Sequence, residues 1–430
     1  MSPRNDIFMA TLDNDAGFDL GDFAKKTEDK KYKIWHVYDG GGSIDGSPVI
    51  KDNMIFIGAG DHYFYAIEKN TGKQIWRFRA SGLFCDSCAT IWKDRLFINC
   101  YDHNLYALNW ETGEEIWRFR TGDKIYDSRP LVFRDRVIFT SKDFFVYCLD
   151  CETGKMIWNF RTGGWTGSSS TYHKGRVYVG SSDGNLYCLD FETGKEIWRF
   201  KTDGNIINKK EWLIVDDVLY FGSDDYNIYG VSTNSGKEVW RFKTGGFVNT
   251  PPLIRDGVMY ILSSDMHFYA IDIKKCKEKW RFRTGHDNDG SPSAIIDNKV
   301  IFGSSDTNLY CLNKDTGKEV WRFRTHGGIW STPVIEYGRI YFGSYDCHFY
   351  CLDLDGKLIW KFRTSSANQN HFELEERKVF EFKAPQVEET KEDKEDRYEV
   401  KTEVVHGGEY KAKSEYQIDV HYSSMGKEYK

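Results

Sequence analysis

A tryptophan flanked by apolar residues recurs nine times at intervals of about 41 residues: Trp35, Trp76, Trp117, Trp158, Trp198, Trp240, Trp280, Trp321 and Trp360. A period of this size, filled with strand-like segments and glycine turns, marks a β-propeller in which each repeat forms one blade. A single blade cannot bury its own apolar faces, so the repeats must stack into one body. That overrides the prior of about three domains that ~150 residues per domain would give. The same periodicity limits what can be said of function, because a propeller is a platform and activity lies in sites added to it.

The first full unit shows the elements. Ser47-Pro48-Val49-Ile50 reads as a short strand, Asp52-Asn53 as a turn, and Met54 to Gly58 as a second strand. Asp61 closes the next turn, where a carboxylate can bond its own backbone two residues on. Tyr63 to Ile67 follows as the third strand, Asn70-Thr71-Gly72-Lys73 turns again, and Gln74-Ile75-Trp76-Arg77-Phe78-Arg79 is the outer strand. The turn aspartate returns as Asp102, Asp143, Asp183, Asp225, Asp265, Asp306 and Asp346. The Thr-Gly turn returns at Thr112-Gly113, Thr153-Gly154, Thr193-Gly194 and Thr316-Gly317, altered to Ser235-Gly236, Asp355-Gly356 and Lys275-Cys276. Eight complete units run from about residue 46 to 364, which predicts an all-β, eight-bladed propeller of four-stranded antiparallel blades. Residues 1–30 read as an N-terminal segment, 31–364 as the propeller, and 365–430 as a charged linker and β-rich arm.

The run Tyr187-Cys188-Leu189-Asp190-x-x-Thr193-Gly194-Lys195-x-x-Trp198 resembles the tryptophan-docking motif of pyrroloquinoline-quinone-type propeller repeats. The resemblance implies that Trp76, Trp117, Trp158, Trp198, Trp240, Trp280, Trp321 and Trp360 pack between neighbouring blades, each near the adjacent blade's turn. It covers about three quarters of the chain and is specific for fold far more than for activity. The family holds quinone-dependent dehydrogenases, an outer-membrane assembly lipoprotein and sensor modules. Ring closure is left open, because nine outer-type strands accompany eight inner sets. Lys33-Ile34-Trp35-His36-Val37 is expected to pair with the last blade, either alongside residues 358–363 or in their place.

Quinone dehydrogenases of this type carry long insertions, a vicinal disulfide and calcium-binding acidic residues near the axis. Here no two cysteines are adjacent and the inter-blade connections are short, which leaves little to bury a cofactor. No Gly-x-Ser-x-Gly elbow, His-Glu-x-x-His or phosphate loop occurs. The chain is therefore read as non-catalytic, with no cofactor and no metal. Cys148, Cys188, Cys311 and Cys351 fill a repeat position taken elsewhere by Ala66, Ala107, Gly230 and Ala270, as a tight interior slot would require. Cys85-x-x-Cys88 and Cys148-x-x-Cys151 have redox or zinc spacing, yet no second pair follows at a zinc-ribbon interval. Strand residues three apart also point to opposite faces, so Cys148 and Cys151 should not share a ligand. Aspartates at 13, 15, 19 and 22 break any signal-peptide core, and no 18-residue apolar run occurs. The expectation is a soluble, cytoplasmic protein that does not enter membranes.

Three surfaces are candidates for function. At the channel mouth, repeat alignment brings Asp45, Asp86, Asp127, Lys209 (beside Asn208) and Asp289 together with the aromatics Phe84, Tyr126, Trp165, Phe247 and Trp330. Such a ring is either a binding funnel or a plug of an otherwise wet channel. On the rim, each outer strand reads Trp-basic-Phe-basic, broken only by Asn159. These cations either meet turn carboxylates such as Glu111, Glu152 and Glu192 or form a belt for a polyanion. The net charge of -6 favours the first of these and gives no general attraction to nucleic acid. Beyond Thr364 the chain holds 16 acidic and 11 basic residues, so five of the six net negative charges lie there. Residues 388–397 read as a solvated segment, and strict alternation from Tyr410 to Tyr422 reads as a hairpin. A lone hairpin is marginal in water, so the arm should dock on its own propeller or on a partner. The resulting expectation is a protein-interaction scaffold. A ligand sensor at the channel mouth and, far behind, a quinone oxidoreductase are the alternatives.

Overall fold

The computed structural model describes residues 42–84, 87–125, 128–207, 210–286 and 292–364. These form 32 strands, here β1 to β32 in chain order, in eight four-stranded antiparallel sheets, with no helix among the described residues. Blade 1 runs β1 (Val49–Lys51), β2 (Met54–Gly58), β3 (Tyr63–Glu68) and β4 (Gln74–Arg79), each strand bonded to the next. Blade 8 repeats this order and ends in β32 (Leu358–Arg363). The eightfold, four-stranded expectation holds. The chain divides into two units, 1–372 and 373–430, and the second lies wholly outside the described residues.

The burial pattern explains the sequence pattern. Strands such as β2 and β3 are buried on both faces, because neighbouring blades cover each sheet from both sides. They therefore read as nearly continuous apolar runs. Only the outer strands alternate, with the indole and phenyl rings half-buried and the cations exposed. The β3–β4 pairing slips by one residue between Ala66 and Ile67, and the same bulge recurs in every blade. A bulge bends its strand and re-aims a side chain. Here it sets each tryptophan opposite the small-residue slot: Ala66 faces Trp76, Cys148 faces Trp158 and Gly230 faces Trp240. A Cβ added to Gly230 would stand 2.9 Å from Trp240 Cβ, so the slot admits only small residues.

Each indole then docks on the next blade. A Cβ on Gly113 would meet the Trp76 ring at 2.6 Å, and one on Gly154 the Trp117 ring at 2.8 Å. Trp76 Nε1 donates to Trp110 O at 3.2 Å, and Trp158 Nε1 to Phe191 O at 3.0 Å. The left-handed glycine thus lets a turn lie flat on the ring while the indole N–H bonds the turn's carbonyl.

The ring closes between blades 8 and 1 without a peptide bond. Trp360 docks under Gly72, where an added Cβ would meet its ring at 2.5 Å, and Ile44, Ile55 and Tyr65 share one core with Tyr341, Phe349 and Trp360. Ile44 N–H donates to Ser344 O at 3.1 Å, and Ser47 Oγ bonds Thr332 Oγ1 at 2.9 Å. Thr364 Oγ1 donates to Gly42 O at 3.1 Å. Thr121, Thr162 and Thr202 make the same bond to the carbonyl two residues further on in their own loops. Gly42 therefore occupies the place a continuing chain would take. β32 fills the outer position of blade 8, and the expected pairing of residues 33–37 with that blade lies outside the described residues.

Candidate functional site

Inter-blade loops and β2–β3-type turns come together on one face of the ring, and the recurrent aspartate joins them. In all eight blades it accepts the hydroxyl of a tyrosine four residues on, as in Tyr106–Asp102 and Tyr350–Asp346 at 2.7 Å. Its other oxygen accepts the backbone N–H two residues ahead, as at Asn104 (3.2 Å) and Asn185 (2.9 Å). The same carboxylate reaches the preceding loop: Gly122 N–H donates to Asp143 at 2.7 Å and His326 N–H to Asp346 at 2.9 Å. Burial pushes the carboxyl pKa of Asp102, Asp183 and Asp346 upward, yet these hydrogen bonds outweigh it and hold all three below the usual value. Burial and the adjacent carboxylate push the partner tyrosines up, Tyr269 to about 12.

The residue after each aspartate has a left-handed backbone, and only in blade 4 is it glycine. His62, His103, Phe144, Tyr226, Met266, Thr307 and Cys347 all have φ between 65° and 73°, or 75° at Thr307. A left-handed non-glycine residue costs about 1–2 kcal/mol unless its surroundings impose it. Here the aspartate fixes one side, and the residue ending the outer strand, a threonine in every blade but the first, fixes the other by donating its N–H to that residue's carbonyl (2.9 Å at Phe144, 2.8 Å at Tyr226). The backbone is imposed by hydrogen bonds, and while Thr307 and Cys347 are buried, other side chains at this position reach the surface. Two of these side chains are exposed aromatics, Phe144 at 39% and Tyr226 at 40%.

The sequence-predicted residues divide on this face. Phe247, 36% exposed, stacks edge-on to Tyr226 at 5.2 Å, and Trp165 is half-buried with Lys142 Nζ 5.5 Å from its ring. These stay available. Phe84 does not, since it is fully buried against Phe64 and Tyr106 in the core between blades 1 and 2. Trp330 is also buried, donating Nε1 to Ser305 Oγ at 2.9 Å and lying 4.8 Å from Tyr345. Asp45 is buried in the seam, where it accepts the Tyr345 hydroxyl at 2.9 Å. Asp86, Tyr126, Asp127, Lys209 and Asp289 lie outside the described residues. Sequence alignment missed Phe144 and Tyr226, although the signal was there: one variable column directly after an invariant aspartate.

Next to residue 209, burial pushes the Lys210 amine down to about 8, with the Arg129 guanidinium acting in the same direction. Arg129 uses Nε on Ala89 O and Thr90 Oγ1, both at 3.2 Å. These two cations lie just ahead of the innermost strands of blades 5 and 3. The thiols behave differently. Burial raises Cys148, Cys188 and Cys311 to about 12 and Cys351 to about 11, so they are protonated and poor nucleophiles at neutral pH. Cys148 and Cys151 pack in separate cores on opposite sides of blade 3. Among the described residues no three His, Cys, Asp or Glu side chains stand together as a metal site would need.

On the rim the expected carboxylate partners are different ones. Arg118 pairs with Glu115 of its own strand at 2.6 Å, and Arg199, Arg241 and Arg322 pair likewise with Glu196, Glu238 and Glu319. Each also lies over the tyrosine beside it, at 5.3 Å for Arg118 over Tyr106. Glu152 and Glu192 instead bind Arg95 and Arg136 of the preceding blades, both at 2.5 Å. Each such pair neutralises one of the two rim cations of its strand, charge that a polyanion belt would need free.

A family model described as outer membrane protein assembly factor BamB matches residues 21–132, 101–208, 142–225, 213–307 and 287–381. The chain belongs to this family of pyrroloquinoline-quinone-like propellers. Its fold is similar to BamB from Moraxella catarrhalis (17% identity, 70% of this chain and 94% of that one, TM-score 0.60). It is similar too to the quinohemoprotein alcohol dehydrogenase of Comamonas testosteroni (16%, 74% and 76%, 0.63) and to the computationally designed Ika8 (14%, 73% and 96%, 0.63). An assembly factor, an enzyme and a designed protein thus share one frame with this family member, and at these identities the likeness is one of fold. No curated protein sequence matches it.

Proposed function

We propose that this propeller is a non-catalytic protein-interaction scaffold whose loop face, over blades 3 to 6, receives a protein partner. The observation that carries the reading is the exposure of Phe144, Tyr226 and Phe247 on backbone clamped by hydrogen bonds from both sides. Aromatic anchors on pre-ordered backbone lose little entropy on binding, and such residues dominate the energy of protein interfaces. The family's description as an assembly factor agrees with a protein partner. Nine described cysteines, all free thiols, agree with a reducing cytoplasm as its location. Residues 365–430 would add a second contact through strand addition. Affinity capture with the wild type and with a Phe144→Ala/Tyr226→Ala/Phe247→Ala variant tests the face. Loss of a stoichiometric partner supports it, and an identical set of captured proteins overturns it.

A second reading, a small anionic ligand, is favoured by the Arg129 guanidinium acting on the buried Lys210 amine, two cations held near one another just ahead of the inner strands of blades 3 and 5. Titration with inorganic phosphate, comparing wild type with Lys210→Met, would reveal such a ligand site. A chromophore absorbing in the quinone band of the purified protein would contradict the non-catalytic reading.

A further inference from the structure

The face of the ring opposite the loops carries two turns per blade, an inner hairpin between the first two strands and the docking turn between the last two. The two lie together, as where Lys69 N–H donates to Asn53 O at 2.9 Å and Trp110 N–H to Asp94 O at 3.1 Å. The first turn residue of every inner hairpin is left-handed, with φ between 45° and 57°, yet none is glycine. All eight are exposed. At Gly175, Gly257 and Gly338, the next residue in blades 4, 6 and 8, an added Cβ would meet nothing within 4 Å. These tips stand clear of the other described residues.

Their charges are sorted around the ring. Blades 2, 3 and 4 carry Lys93, Arg134 and Lys174 at the tip, and blades 5, 6 and 7 carry Asp216, Asp256 and Asp297. The hairpins as wholes keep this division. Residues 92–95, 133–136 and 173–176 hold six cations and two carboxylates, whereas 215–218, 255–258 and 296–299 hold four carboxylates and two cations. The hairpins of blades 8 and 1 hold one charge of each sign. Each tip cation has a carboxylate in its own chain: Lys93–Glu152 at 3.0 Å, Arg134–Glu192 at 3.3 Å and Lys174–Asp217 at 2.7 Å. The three cations are nevertheless 62–64% exposed, and exposed pairs of this kind contribute little, so a second carboxylate can share them.

This division is complementary to itself. A second copy turned face to face, about a twofold axis through the 8/1 seam and the boundary of blades 4 and 5, lays blades 2, 3 and 4 over its blades 7, 6 and 5. Lys93 then meets the partner's Asp297, Arg134 the partner's Asp256 and Lys174 the partner's Asp216. No other in-plane twofold axis of an eight-bladed ring sets all three cations on aspartates. The neutral hairpins of blades 8 and 1 face each other beside the axis, which brings Tyr337, 88% exposed, to its edge. The docking turns of blades 3 and 6 agree. Glu152 lies outside Arg134, while Lys274 and Lys275 lie outside Asp256.

We propose that this face pairs with the same face of a second copy, in a twofold dimer whose inner hairpins exchange six ion pairs, three and their symmetry mates. The loop faces then point outward on both sides, so the dimer presents the scaffold surface twice.

Sedimentation velocity of the full chain tests this at about 0.05 M and about 0.5 M salt, since screening weakens exposed pairs. The wild type is expected to be a dimer at low salt and to dissociate at high salt. Arg134→Asp and Asp256→Arg should each weaken the dimer at least about a hundredfold, because each creates two like-charge contacts across the axis. Mixed in equal amounts, the two variants should dimerise again, since both reversed contacts then join a cation to a carboxylate. Lys93→Asp with Asp297→Lys gives the same exchange on another pair of blades, should either first variant melt earlier than the wild type. A wild type that stays monomeric at low salt overturns the proposal. A dimer that survives every single reversal assigns association to another surface and overturns it too. So does a mixture that stays monomeric while both of its variants melt as the wild type does.

Discussion

The two faces of the ring solve the same backbone problem in opposite ways. On the docking-turn face, a left-handed residue sits over the neighbouring indole in every blade, and seven of the eight are glycine. On the loop face, a left-handed residue follows every aspartate, and seven of the eight are not glycine. The difference lies in what a Cβ would meet. At Gly72, Gly113 and Gly194 it would strike the ring at 2.5–2.6 Å, so the indole itself excludes any side chain. On the loop face the geometry is imposed by hydrogen bonds to Asp and Thr, and the side chain is left to vary. Where packing imposes the conformation, the residue is invariant. Where hydrogen bonding imposes it, the residue type varies on a fixed frame.

The comparison breaks most easily at the docking face. Trp158, nearly fully buried, should cost about 3–5 kcal/mol when replaced by alanine, the usual range for large core aromatics. Gly154→Ala, which combines a left-handed alanine with a contact of 2.8 Å to Trp117, should cost about 2–4 kcal/mol. Urea unfolding with an unchanged m-value would read both. If Gly154→Ala were neutral, the ring would be yielding, and the contrast between the faces would lose its physical basis.

The aspartate clasps come next. Asp346→Asn removes a buried charge that binds Tyr350, His348 and the His326 N–H, and should cost about 1–3 kcal/mol. The pH dependence has a definite sign on each side. The folded carboxyls of Asp102, Asp183 and Asp346 lie below their unfolded value, so their contribution is present above about pH 4. It fades as pH falls through the lowered folded values. The tyrosines run the other way: Tyr269, raised to about 12, contributes below about pH 10 and loses that contribution as pH rises towards 12. Thermal melts from pH 2 to 12 should show a plateau falling at both ends, and Asp346→Asn should soften the acid limb.

Much of this was legible in the sequence. The period, the blade count, the Trp-on-turn docking and the Cys/Ala/Gly slot follow from contacts that leave one or two residue types possible. The Phe84 and Trp330 positions misled because alignment places a residue along a loop but not the way its side chain turns. Phe84 found a better home in the inter-blade core than in water, and Trp330 found one against Ser305 and Tyr345. Rim pairing was misjudged for a related reason. Glu115 and Arg118 are three apart on a strand and by simple alternation should face opposite sides, but the bulge shifts the pairing register between them. Phe144 and Tyr226 stayed hidden because a left-handed phenylalanine is improbable until the two hydrogen bonds that clamp it are seen.

The loop face should respond in function more than in stability. Tyr226→Ala and Phe247→Ala should each leave stability within about 1 kcal/mol, since both rings are already partly in water. Each should weaken partner binding about tenfold or more, the scale of an interface anchor. Calorimetric titration against the captured partner, alongside a melting curve, separates the two effects. A large loss of stability with no loss of affinity would turn these aromatics into frame residues and remove the distinction between the faces.

The smallest effect falls where the docking face departs from its own rule. In blade 6 the turn residue is Cys276, left-handed at φ 49°, in the place glycine holds elsewhere. Trp240 still donates Nε1 to Ile273 O at 3.0 Å, so the dock survives, and the thiol donates to Arg241 O at 3.1 Å. The strain of a left-handed cysteine is thus only partly offset by one exposed hydrogen bond. Cys276→Gly should stabilise the protein by about 0.5–1 kcal/mol, the gain from relieving the left-handed Cβ less the greater freedom of unfolded glycine. If it destabilises instead, the thiol's bond to Arg241 outweighs the backbone strain. Blade 6 would then be docked by hydrogen bonding, as the loop face is, and the division between the faces would run through a single blade.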